Sequence, residues 1–183
     1  MTEGSITKNI LFFSIPLILG NLLQQLYSTV DSVIVGNFVG SNALAAIGSS
    51  SSLIFLLIGF SQGVSVGAGV IVSQYIGAQQ KEKIHDAIHT ALALAVILGM
   101  ILTVGGMVLS TPLLRWMNTP EEVFGESVAY LRVYFAGVLF NIIYNMAAGI
   151  LNAVGNSRRS LIYLAVASVT NIVLDFLFIV GFH

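Results

Sequence analysis

The sequence predicts an all-α transmembrane protein, a five-helix bundle with its N-terminus in the cytoplasm. Three observations carry that prediction. Of 183 residues, 56% are hydrophobic and 8% are charged, with a mean hydropathy of +0.93; a soluble domain has about 25% charged residues. The charges cluster and leave five long apolar stretches between them, each reaching the roughly 20 residues that cross a bilayer. No stretch shows the ten-residue alternation of a membrane barrel. A single domain of this size leaves most of its residues in contact with solvent, so the solvent must be lipid.

The first span is expected at about 10–35. Its apolar run is too long for a cleaved signal peptide, it carries Asn21, Gln24, Gln25 and Asp31, and no small-x-small site follows it. Pro16 removes one backbone hydrogen bond there and predicts a kink. The run Gly36-Asn37-Phe38-Val39-Gly40-Ser41-Asn42 reads as a turn. The second span, about 43–77, exceeds one crossing, so it tilts or projects into water. It carries Gly59, Gly63 and Gly67 at four-residue spacing, which lets helices approach closely, and packing is their expected role. The third, fourth and fifth spans are expected at about 87–114, 124–153 and 161–182.

Orientation follows from the basic residues. Lys8, Lys81, Lys83, Arg158 and Arg159 fall on one side, and Arg115 and Arg132 on the other. The richer side is cytoplasmic, which puts His183 on the far side. An odd number of spans with no tail after the fifth leads to the expectation that residues 1–183 are part of something larger. That piece is a fragment, a truncated product, or a subunit that pairs with another chain.

Polar groups within the spans are expensive in lipid, so their arrangement is informative. At 100° per residue, Asn21, Gln25, Ser28 and Ser32 fall within about 60° on helix one. Gln24 and Asp31 lie beside that strip. On helix four, Tyr130, Tyr134, Asn141, Asn145 and Asn152 form one stripe within about 60° and about 33 Å long. On helix five, Ser168, Asn171 and Asp175 do the same. Asn171 and Asp175 are one turn apart, so their oxygens can converge on one ion or proton. Single amides of this kind can serve as interhelical glue. Three striped helices together point to a shared polar cavity. The carboxylates Asp31 and Asp175 point to function, because an unneeded ionised aspartate costs at least about 2.5 kcal/mol at mid-membrane.

Several chemistries are excluded. There are 7 basic and 8 acidic residues, a net charge of −1, so nucleic acid is not an expected partner. Cysteine is absent, which removes disulfides, thiol catalysis and thiolate metal sites. His85 and His89 are four apart, but apart from Asp86 no acidic or thiol ligand joins them convincingly, and no metal site is expected. No glycine run leads into Gly-Lys-Ser/Thr, so ATP is not an expected ligand. No nucleophile–base or His-Glu-x-x-His arrangement is present, and no enzyme activity or cofactor is expected.

Five segments resemble, in order, one transporter family. They are Pro16–Gly20 with Leu26–Asp31, Val35–Gly40 with Ala43–Gly48, Ser73–Ala78, Gly149–Arg158 and Asn171–Asp175. The family is multidrug and toxic compound extrusion (MATE), of the MOP superfamily. One departure is Arg159-Ser160, where the family usually carries a proline. The resemblance implies a partial six-helix N-lobe of a two-lobed secondary antiporter, with helix six and the C-terminal lobe outside the chain. It also implies exchange of organic, often cationic, compounds for protons or sodium across the plasma or inner membrane. Asp31, Asn171 and Asp175 would hold the coupling ion, and Gln24 would face the substrate cavity. Gln25, Tyr134, Asn141 and Asn145 join that cavity from the stripes. The expected partners are the bilayer, small organic substrates and the missing lobe. Two alternatives are a lipid-linked sugar flippase lobe of the same superfamily, whose cavity should be more cationic, and a truncated membrane protein without transport.

Overall fold

A computed structural model describes residues 6–180. Five α-helices follow in order: α1 Ile6–Ile34, α2 Ser41–Gly77, α3 Lys81–Trp116, α4 Glu121–Ala153 and α5 Ser157–Asp175. α1 runs on into a π-helical segment, Val35–Val39, and α5 into another, Phe176–Val180. All five are long and apolar enough to cross a membrane. Each begins outside its apolar stretch, because a helix keeps its backbone bonds in water as well as in lipid. Glu121 and Glu122 open α4 and Arg115 closes α3, the charge signs that a helix dipole favours at those ends. The expected last residues of helix five, 181 and 182, lie outside the described residues.

One expectation is corrected. The run 36–42 is not a turn. The helix continues through it as π-helix, and the break is confined to Gly40, whose φ of 121° and ψ of 176° suit glycine alone. Its N–H donates to the Val35 carbonyl at 3.1 Å. The true turns sit at Gln79 and Asn118, both left-handed, and at Gly155, whose φ is 81°. After Gln79 and Asn118, a 6→1 backbone bond closes the preceding helix: Gln80 N–H to Tyr75 O and Thr119 N–H to Leu114 O.

The described chain forms two compact units. One comprises α2, α3 and α4. Here α4 is the spine, packing along both neighbours. It turns Leu131, Phe135, Val138, Ile142 and Met146 into the core, where Ala91, Ala95 and Leu114 of α3 meet them. Small residues set the approach. A methyl group on Gly99 would stand 2.6 Å from the Leu139 Cδ1, and one on Gly106 would overlap the Phe135 ring. Against α2, Gly149 lies on Ser65, and the Ser65 hydroxyl donates to the Asn145 carbonyl at 2.5 Å.

The other unit pairs α1 with α5 and carries the two π-helical segments, which touch each other. Gly20 admits Leu164, 3.4 Å from where its Cβ would stand. Most of the remaining apolar surface, such as Phe12, Leu26 and Val166, is exposed. In water such a surface would aggregate; in lipid it is solvated.

Candidate ion and substrate sites

Asp31, Asn171 and Asp175 all belong to the α1–α5 unit. Asp175 is the last α-helical residue before one π-helical segment, and Asp31 lies one turn before the other. All three side chains are half-buried. Asp31 and Asp175 are near enough for their charges to interact. The Asn171 Oδ1 and the Asp175 Oδ2 are shielded from solvent and accept no hydrogen bond from the described residues.

Nearby hydroxyls do not supply one. Thr29 donates to its own helix at the Gln25 carbonyl (2.8 Å), Ser32 to the Ser28 carbonyl (3.0 Å) and Ser168 to the Leu164 carbonyl (2.9 Å). Among the described residues, these two buried oxygens find no donor. An orphaned buried acceptor costs about 1–3 kcal/mol. Oxygen-only sites suit a proton or a hard cation.

The residues assigned to the substrate cavity divide between the units. Gln24, half-buried, and Gln25, exposed, lie on α1. Tyr134, Asn141 and Asn145 lie on α4, each one residue before a core position, so their stripe flanks the packed face at about 100°. Asn141 is exposed, and Tyr134 and Asn145 are half-buried. The structure joins the two asparagines: the Asn145 Nδ2 donates to the Asn141 Oδ1 at 3.0 Å and to its carbonyl at 2.9 Å. Further along the stripe, the Asn152 Oδ1 is buried and unpartnered.

The packing role expected of Gly59, Gly63 and Gly67 is not found among the described residues. A Cβ at any of them would meet nothing within 4 Å. The packed row on α2 is Ser61, Ser65 and Gly69, buried against α4. It repeats the same spacing two positions on, which is about 200° around the helix. Sequence reasoning missed it because two of its members are serines. It also missed the π-helical segments beside the carboxylates, which no periodicity announces; such segments are frequent at functional sites.

Comparison with known proteins decides the family. The MatE profile matches residues 16–177. The chain belongs to the MatE family. Its MatE relatives include two from Bacillus subtilis (strain 168). "Probable multidrug resistance protein YpnP" is 34% identical over 100% of this chain and 41% of its own length. "Probable multidrug resistance protein YoeA" is 33% identical over 98% of this chain and 39% of its own. Among solved structures, an outward-facing multidrug resistance MATE transporter of the MOP superfamily superposes with a TM-score of 0.90. It is 31% identical over 96% of this chain and 39% of that one. This MatE chain therefore spans about two fifths of the relatives it matches, corresponding to their N-terminal lobe. The family is one of transporters, not of enzymes, and the five spans make this a multi-pass membrane protein.

Proposed function

We propose that this MatE chain supplies the ion-coupling lobe of an antiporter. The antiporter exports organic, often cationic, compounds in exchange for protons or sodium across the cell membrane. The observation that carries this reading is the pair of buried, unpartnered oxygens on Asn171 and Asp175, with the Asp31 carboxylate in electrostatic reach. Two carboxylates that share a low-dielectric site cannot both stay ionised cheaply. A proton or a sodium ion relieves them, and its arrival changes the charge between α1 and α5. Pro16 lies in α1, so a charge-driven change in that helix has a point at which to bend.

Substrate contact is proposed for each unit by itself: for Gln24 and Gln25 of α1 in one, and for Tyr134, Asn141 and Asn145 of α4 in the other. Amides and a phenol accept hydrogen bonds from cationic groups without fixing one ligand shape, as a multidrug site requires. The bilayer, the organic substrate and a C-terminal lobe are the partners.

The experiment uses the complete transporter in sealed vesicles with an imposed proton or sodium gradient. Asp31→Asn and Asp175→Asn are each expected to lower gradient-driven efflux at least 10-fold while leaving helical content and membrane insertion unchanged. Wild-type efflux from both variants would make the carboxylates structural and defeat the proposal.

A further inference from the structure

Within the three-helix unit, α2 and α3 touch each other far less than either touches α4. The space left between them is an open groove of about 550 Å³, within the range of sites that hold small organic ligands. Its walls include Val64, Gly67 and Ile71 of α2 and Ala91 and Leu94 of α3. Tyr75, Lys83, Asp86 and Thr90 line its other end. Tyr75 and Lys83 flank the turn between the helices, with the ammonium 5.8 Å from the ring centre.

From that turn the lining reaches Val64 on one helix and Leu94 on the other. This is about three turns, or roughly 16 Å, close to half of the roughly 30 Å hydrocarbon core. The groove is therefore one leaflet deep, apolar along its length and polar at its mouth. Lys81 and Lys83 set the mouth on the cytoplasmic side. The mouth offers one cation and one anion that do not pair with each other: the Asp86 carboxylate has His85 at 3.8 Å, and the Lys83 ammonium lies over Tyr75. Both side chains are exposed.

We propose that this groove holds a phospholipid of the cytoplasmic leaflet whose zwitterionic headgroup sets its phosphate on Lys83 and a primary ammonium on Asp86, with an acyl chain along Gly67 and Ala91. A purely anionic headgroup meets the Asp86 charge. A quaternary ammonium cannot donate a hydrogen bond to that carboxylate. A free phosphate leaves the apolar walls unmatched. Phosphatidylethanolamine is the lipid that satisfies all three. The groove's residues belong to a different unit from Asp31, Asn171 and Asp175.

Native mass spectrometry tests this on the full chain taken from bilayers of equal phosphatidylethanolamine, phosphatidylcholine and phosphatidylglycerol. One phosphatidylethanolamine per chain is expected to survive, at least five-fold over either other lipid. Gly67→Leu fills the groove at a position where an added Cβ meets nothing within 4 Å; it should lower that retention at least five-fold in a folded protein. Asp86→Asn should erase the preference for ethanolamine over choline, and Lys83→Gln should weaken retention of all three lipids. The proposal is overturned by equal retention of the three lipids, by no retained lipid at all, or by unchanged retention in Gly67→Leu.

Discussion

At the scale of single residues, the glycines of this chain do opposite things, and the difference is measurable. Gly106 receives the Phe135 ring where a Cβ would stand, whereas Gly59 faces open space. Gly106→Ala is expected to destabilise the chain by about 1–3 kcal/mol, the usual cost of overpacking a tight contact. Gly59→Ala should be neutral, or stabilising by up to about 1 kcal/mol, because alanine is the better helix former. Thermal unfolding in detergent, side by side, checks both. The sequence exposed Asp31, Asn171 and Asp175, because a charge or amide in an apolar run is conspicuous. It did not separate Gly59 from Gly106. Both read as small residues in apolar helices, and only the partner helix tells them apart.

At the scale of elements, spans were legible and junctions were not. Apolar length locates a helix in lipid, and the five stretches correspond to five helices. The run 36–42 misled because Gly, Asn and Ser are turn formers in water. A backbone at membrane depth has no water to bond, so it keeps helical bonds wherever it can. The π-helical segment does this up to Val39, and Gly40 takes the whole break. Gly40→Ala is accordingly expected to cost about 1–3 kcal/mol, the strain of a backbone conformation that a side chain resists. Gly36→Ala, inside the helical segment, should cost less. Urea-induced unfolding of the two variants in mild detergent gives the comparison.

At the scale of the whole molecule, topology is the first quantity to test. The chain has no cysteine, so single cysteines report sidedness without background. Gln79→Cys should react with an impermeant maleimide from the cytoplasmic side, and Asn42→Cys only from the opposite side. Lipid as the solvent also has a thermodynamic consequence. Phe12, Leu26, Phe55, Phe140 and many other large apolar side chains already lie on the outer surface. When α2, α3 and α4 separate within a bilayer, the side chains between them pass from protein to hydrocarbon and not to water. The heat-capacity increase of ordinary unfolding comes from hydrating apolar surface, and here that hydration is missing. Scanning calorimetry of the chain in bilayers should therefore give a heat-capacity step well below the usual 12–15 cal/mol/K per residue. Its stability should fall almost linearly with temperature, with no downturn in the cold.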